Sequence, residues 1–301
     1  DVRVSVDNFA QTSEAYRKIR NTMRFMVANT GDFDPEKDTV AYNELGSVDR
    51  YMMVRLNQII KQVKTAYDAY DFATVEKTIS SFLVNDLSAF YLDVAKDVVY
   101  IEAKDDPKRR GMQTVMFAAL LALTKLITPI LPHTAEEVWP YLKQPEAYAA
   151  LADMPEAEQF DDESQLLDIW SGFMDFRSEV QKALELARDN KVIGKSLEAA
   201  VTVYPSEPVR DMLDDVDANV MQLLITSHFE IAPATTKAPA DAEQFDDMAV
   251  VVKHADGEVC PRCRMVRTDI GTDPKLPQLC SRCAAIVEAN FPDAVTNGFD
   301  K

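Results

Sequence analysis

The sequence predicts a mainly α-helical protein: an antiparallel helix bundle, then a small α/β module, then a module organised by cysteines. Three observations predict it. Apolar residues recur at three- and four-residue steps through most of the first 190 positions. From about Leu197 the pattern changes to short β-branched runs. All four cysteines of the 301-residue chain fall between positions 260 and 283. With 47% apolar, 27% charged and only 8 glycine residues, the composition is that of a globular, helix-rich chain. Its length suggests about two ordinary domains. The best membrane candidate, Val115 to Leu131, is interrupted by Lys125 and Pro129, so no membrane span or membrane partner is expected. The start, Asp1-Val-Arg-Val-Ser5, lacks both a secretion signal and an initiator Met. It reads as part of a longer cytoplasmic protein.

Each element has its own signal. Asn8 with Gln11 is a capping pair for a helix carrying Tyr16, Ile19, Met23 and Met26 on one face, and Gly31, Asp32, Asp34 and Pro35 punctuate the chain after it. A second helix, about 45–70, places Met52, Leu56, Ile59, Ile60 and Val63 in phase, and a third, about 72–100, repeats the pattern with Val75, Ile79, Phe82, Leu83 and Leu87. Pro107 opens a fourth helix with a core face of Val115, Met116, Ala119, Leu120 and Leu123. Thr134 to Glu137 reads as a capping box for a short helix carrying Trp139, which explains the paired carboxylates Glu136 and Glu137 without acid–base chemistry. Short links between long amphipathic helices imply antiparallel neighbours. The acidic, proline-punctuated stretch from Leu142 to about Glu163 reads as a surface excursion, and a helix over about 165–190 comes after it. Strands are expected at 199–204, 227–231 and 249–252, with a helix at 209–225 and a linker at 232–247. The expected division is a helix bundle over 1–142, a linker and a long helix packing on that bundle over 143–194, a small α/β module over 195–248, and a cysteine module over 249–301.

Cys260-Pro-Arg-Cys263 and Cys280-Ser-Arg-Cys283 form two C-x2-C knuckles sixteen residues apart. Each knuckle presents two thiolates from one tight turn, and two such turns supply the tetrahedral four-sulfur shell that Zn²⁺ favours. Four protein ligands leave no open position for water, so a single structural zinc is expected. Two disulfides, reduced thiols and an iron–sulfur cluster are the alternatives. His254 lies six residues before Cys260 but is superfluous as a ligand beside four cysteines, and His133 and His228 are isolated.

The net charge of −18 is unevenly held. Residues 142–168 and 205–250 carry −7 and −8, while 1–141 carries −3 and both 169–204 and 251–301 are neutral. Between the first and last cysteine lie Arg262, Arg264, Arg267, Lys275 and Arg282, against Asp269 and Asp273. Phosphate attraction is local, within a Debye length of roughly 8–10 Å, so global acidity does not exclude an RNA partner.

Several segments resemble one family: Asp1 to Ser5, Ser13-Glu-Ala-Tyr-Arg-Lys-Ile-Arg-Asn-Thr-Met-Arg-Phe25, Asn29 to Phe33, Ala66 to Phe72, Leu87 to Asp93, Lys96 to Tyr100, Pro129 to Trp139, Lys191 to Ala199 and the two knuckles. Together they resemble the C-terminal region of bacterial isoleucyl-tRNA synthetases, over nearly the whole chain. The resemblance implies an anticodon-binding bundle of the class I synthetase type, a junction module and a zinc-bearing tip that contacts RNA. The partners it implies are tRNA(Ile) and the N-terminal catalytic and editing domains of the same, monomeric, ligase. ATP would be bound only by that catalytic core. The His-x-Gly-His and Lys-Met-Ser-Lys-Ser signatures, the editing motifs and any glycine-rich phosphate loop are absent from this sequence. The chain is therefore expected to lack catalytic residues and activity of its own.

In the family a tryptophan comes after the second cysteine with an aromatic close behind; here the residues are Arg264 and Val266. An aromatic platform is lost there, though a guanidinium also stacks on a base. The RNA-contact candidates are Arg262, Arg264, Arg267 and Arg282 around the knuckles, and Arg17, Arg20, Asn21 and Arg24 on one helix face. The bland alternative makes both sets solvated surface. Lys108 to Arg110 is read as surface, and Trp139 and Trp170 as core. Two other functions remain open from the residues: a helical scaffold whose zinc ribbon binds protein, and the equivalent region of another aliphatic-amino-acid synthetase.

Overall fold

The computed structural model describes residues 5–297; the Asp1–Val4 part of the resemblance lies outside them. The chain divides into two compact units, one of residues 1–95 and 105–163, the other of residues 96–104 and 164–301.

The first unit is the helix bundle. α1 (Val6–Asn29) starts three residues earlier than the Asn8–Gln11 pattern suggests, because the Ser5 side chain accepts the Asn8 N–H and caps it. α2 (Ser47–Asp68) begins after Gly46. The expected third helix is one continuous run with a change of winding: α3 (Phe72–Ser81), wider π-type turns over Phe82–Tyr91, then α4 (Leu92–Val99). Within these wider turns Phe82, Leu83, Leu87, Phe90 and Tyr91 are buried. α5 (Pro107–Ile127) is capped by Asp106, which accepts from Lys108 N and Arg109 N. α6 (Pro132–Val138) starts at Pro132 rather than after Thr134. Thr134 lies inside it, and its hydroxyl is 3.0 Å from the Tyr16 hydroxyl. α2 packs on α3 and α5, and α1 packs on α5. Among the described residues α5 alone is long and apolar enough to cross a membrane, a length the sequence reading missed by centring on Val115–Leu131, and 78% of its apolar window is buried inside the protein.

Two sequence readings are corrected here. Lys108 to Arg110 is not plain surface. Arg109 forms a two-toothed ion pair with Asp32, at 2.8 and 3.1 Å, and the buried Arg110 guanidinium bonds Gln113 at 2.8 Å and pairs with Asp38. These arginines tie the 30–40 loop to the start of α5. Nor is the acidic stretch an excursion. Phe160 stacks on Tyr42 at 3.8 Å, Asp162 accepts from Tyr42 and Arg50, and Asn57 bonds the Glu158 backbone in both directions. Glu156, Asp162 and Glu163 pair with Lys64, Arg50 and Lys61 of α2, so the segment runs along the bundle as a strap.

The second unit opens with α7 (Glu163–Asp189), whose Phe176 meets Phe229 edge-on and whose Arg177 donates to the Leu223 carbonyl. These contacts place α7 with the later modules, where the sequence reading grouped it with the bundle. After β1 (Ala199–Pro205) come α8 (Glu207–Asp215), α9 (Val220–Leu224), β2 (His228–Ile231), β3 (Glu243–Gln244) and β4 (Met248–His254). The expected helix over 209–225 is thus two helices. The sheet order is β2-β1-β4-β3, with β2 parallel to β1 and β4 antiparallel to it, Val201 facing Phe229 on one side and Val252 on the other. β4 pairs along all seven residues of β1, so the expected boundary at 248/249 falls inside a strand of this sheet. The alternation of buried Ala199, Val201 and Val203 with less buried neighbours is that of a central strand with one face toward a core. β5 (Glu258–Val259), β6 (Val266–Arg267), α10 (Ser281–Asn290) and α11 (Pro292–Asn297) complete the chain.

Candidate metal centre and RNA-facing residues

The first knuckle sits at the end of the β5–β6 hairpin. Cys260 N–H donates to the Met265 carbonyl at 2.9 Å, and Arg264 N–H donates to the Cys260 carbonyl at 2.8 Å. This closes a tight loop with Arg264 in the left-handed region, at φ 66°. The entry into the hairpin from β4 depends on Gly257, at φ 114°, where a β-carbon would lie 2.3 Å from the Arg267 carbonyl oxygen. Gly257→Ala is expected to cost about 1–3 kcal/mol through this strain and clash. A lower unfolding midpoint of the cysteine module, read by amide exchange over residues 258–267, checks it. The second knuckle uses a helix start. Cys280 is the N-cap of α10, and Ala284 N–H donates to its carbonyl. Asp269 accepts from the Ser281 amide and hydroxyl, which hold its carboxyl below the usual range. The amide dipole at the start of α10 favours the charged form of a nearby thiol, but at Cys280 burial outweighs it and pushes the thiol up to about 11.

These two local structures bring four sulfurs together. All four cysteines are buried and unbridged, with their Sγ atoms within 4.8 Å of one another and Cys263 Sγ 3.9 Å from Cys280 Sγ. A tetrahedral shell with Zn–S bonds of about 2.3 Å has sulfur–sulfur edges of about 3.8 Å, so the donor set fits a metal and the spacing is far too long for disulfides. Hydrogen bonding from Cys263, opposed by burial and assisted by Arg262, pulls the Cys283 thiol down to about 5, while hydrogen bonding to Cys283 and burial push Cys263 up. His254 is exposed and its Nδ1 lies 2.8 Å from the Ala255 carbonyl, outside the set. His133 and His228 are exposed on other elements.

The eight arginine and asparagine candidates separate into two groups. Arg17, Arg20, Asn21 and Arg24 are all exposed along α1. Arg17 pairs with Glu14 and Arg20 with Glu137, both open to solvent and so of little energetic weight, while Asn21 and Arg24 have no side-chain partner among the described residues. Arg20 and Arg24 border a groove of about 270 Å³ floored by Met23, Val27 and Val138, with Tyr141 at its edge. Tyr141 is exposed, and the sequence reading missed it because it sits in a short turn after α6 with no periodic signal. Around the knuckles only Arg264 is both exposed and unpaired among the described residues. Arg267 lies 3.4 Å from Asp269, Arg262 donates to the Ile101 carbonyl at 2.7 Å, and Arg282 is held by Asp97 and Glu102. Trp139 and Trp170 are core residues as expected, Trp139 donating to the Glu146 carbonyl and Trp170 packing edge-on with Phe173.

A family model described as the anticodon-binding domain of tRNA ligase matches residues 49–203, half of the chain. The chain belongs to this anticodon-binding family. A second model, described as a zinc finger found in FPG and IleRS, matches residues 257–286 of this anticodon-binding chain and takes in all four cysteines. Together with the sulfur geometry it supports zinc as the metal. All 301 residues align at 99% identity with an isoleucine–tRNA ligase of Lacticaseibacillus casei strain BL23, at 63% with one of Latilactobacillus sakei and at 57% with one of Enterococcus faecalis. In each case the chain spans 32% of the relative's length. The matched part of the first is its C-terminal part.

Proposed function

We propose that this chain is the decoding end of an isoleucine–tRNA ligase, holding the anticodon loop of tRNA(Ile) for a protein that joins isoleucine to tRNA at the expense of ATP. The observation that carries this reading is the anticodon-binding match over residues 49–203; beside the matched region α1 presents four exposed polar candidates, two of which, Arg20 and Arg24, border a groove. Adenylation, transfer and editing would belong to the part of the ligase outside this chain, along with ATP. The protein would act as a cytoplasmic monomer. Single-stranded loops expose base edges that a duplex hides, and a groove with an aromatic ring and guanidinium groups suits a splayed base. The proposed domain plan is a bundle with its strap, a junction sheet with the long helix α7, and a zinc tip, with one structural Zn²⁺ per chain on Cys260, Cys263, Cys280 and Cys283. Isoleucine as the ligase's substrate, rather than another aliphatic amino acid, is favoured by the relatives' shared name. A protein-binding scaffold finds no comparable support.

Arg24→Ala in the full-length ligase is expected to weaken binding of tRNA(Ile) transcript and to reduce the slope of log affinity against log salt by about 1. Gel shifts across a salt series check it, with transcripts carrying other anticodons as controls. An unchanged slope would remove this face of α1 from the interface.

A further inference from the structure

Two of the four knuckle arginines expected to face RNA spend hydrogen-bond donors inside the protein, on one short segment. Residues 96–104 comprise the last turn of α4 and the first part of its connection to α5, and belong to the second unit with the cysteines. Arg262, inside the first knuckle, places Nη2 2.7 Å from the Ile101 carbonyl and Nη1 3.9 Å from Cys283 Sγ. Its guanidinium thus spans a metal-ligating sulfur and the segment's backbone. Arg282, inside the second knuckle, lies 3.0 Å from both carboxylate oxygens of Asp97, 3.2 Å from the Asp97 carbonyl, and 3.1 and 2.5 Å from Glu102 Oε1. Gln222 supports Asp97 from the junction module at 3.1 Å. Between these anchors the Ile101 side chain is buried in the same apolar cluster as the four cysteines, with Met265, Leu276, Leu279, Ala284 and Val287.

We propose that residues 96–104 form a latch that the zinc-loaded knuckles hold shut, with Arg262 and Arg282 as positioning residues for metal and latch rather than RNA contacts. A Zn²⁺ held by four thiolates leaves a net charge of −2, and a guanidinium donating to one sulfur offsets part of it while fixing that ligand's orientation. Arg282 sits against two carboxylates, and a phosphate approaching it meets their repulsion. The cluster around Ile101 is too small to persist without its metal, so the pocket for Ile101 and the position of Arg282 exist only when the sulfurs are drawn together. Linkage then runs both ways: whatever the metal contributes to closing the latch, the closed latch returns as metal affinity. Because the segment carries the last turn of α4 and leads on toward α5, metal loading governs how the chain passes between two helices that are remote in sequence from the cysteines.

The proposal rests on the four-sulfur zinc reading, and its test separates the two. Zinc content of the 301-residue chain is measured first, then amide exchange at Tyr100, Ile101 and Glu102, whose N–H groups are bonded to Lys96 and Val98 carbonyls. Stripping the metal with a chelator is expected to speed exchange at these three amides at least tenfold while α2 amides stay unchanged. Ile101→Asp and Arg262→Ala are expected to weaken zinc affinity tenfold or more in chelator competition, with Arg262→Lys recovering part of it. A chain that binds no zinc overturns the metal reading and the latch with it. A chain that binds zinc, yet shows exchange indifferent to chelation and zinc affinity within twofold for both variants, overturns the latch alone. Arg282→Gln lowering the salt slope for tRNA by about 1 with zinc affinity unchanged would return that residue to the RNA interface.

Discussion

Cys280→Ser is expected to abolish zinc retention, unfold residues from about 255 to 290 and release residues 96–104, while α1, α2 and α5 keep their amide protection. Serine is among the best helix N-cap residues, so this substitution preserves the cap of α10 and removes only the thiolate. What is lost is the metal's contribution, which for structural four-ligand sites is on the order of 10–16 kcal/mol near neutral pH. Nothing else in the module replaces it. Its strands are two residues each, and apart from the cysteines its buried cluster holds six described side chains of modest size. A core that small does not repay the entropy of ordering some forty residues at about 1–2 kcal/mol each. Metal analysis, proteolysis between the knuckles and far-ultraviolet circular dichroism read the outcome. The dichroism changes little because α10 is one short helix among long ones. A Cys280→Ser chain that kept one zinc and a protected hairpin would mean that three sulfurs suffice, and the four-sulfur account would fail.

The long helices were legible because burial imposes a period on them: Met52, Leu56, Ile59, Ile60 and Val63 mark α2 with no knowledge of its partners. The knuckles were legible for a similar reason, since two thiolates per tight turn fix a local spacing. Pairing over long distances leaves no such mark. Arg282 reaches residues 180 and 185 positions away, and its cysteine-flanked setting reads equally well as a phosphate contact. Arg110 reads as surface in a basic run until Asp32 and Asp38 from another loop surround it. The β-branched run at 249–252 announced a strand but not its neighbour, because alternation specifies a face and not a partner. Tyr141 is the remaining case, an exposed ring whose meaning comes from the groove beside it.

A buried carboxyl with no cation beside it makes the bundle's stability fall as pH rises. Asp49, near the start of α2, is buried and accepts from the Tyr91 hydroxyl at 2.5 Å and from the Gly46 amide. Gly46 and Gly111 let the backbone approach it, with a β-carbon at either lying 3.3–3.4 Å from Asp49 Oδ2. Desolvation outweighs both hydrogen bonds and pushes the carboxyl up to about 7, from 3.8. Burial and the same carboxylate drive the Tyr91 hydroxyl well above its ordinary value, so it remains a donor throughout. The folded state therefore holds the Asp49 proton more tightly than the unfolded chain does. The stability this confers is complete below about pH 4 and is lost as pH rises through 7, at about 1.4 kcal/mol per pH unit and no more than about 4 kcal/mol in all. Carboxylates held low by their partners, such as Asp32 beside Arg109, act in the opposite sense, their contribution disappearing only as pH falls below about 4. Between pH 5 and 7 the slope thus belongs to Asp49. Asp49→Asn is expected to flatten it and to leave the bundle more stable than the parent at pH 8, because a neutral amide avoids the charge that burial penalises. Tyr91→Phe is expected to do the reverse, removing a donor to the carboxylate and costing about 1–3 kcal/mol at pH 8 but less at pH 5. Global amide exchange in α2 across this range measures both. A parent bundle equally stable at pH 5 and pH 8 would mean that Asp49 is ionised at no cost, which a buried carboxylate facing a hydroxyl and one amide has no means to achieve.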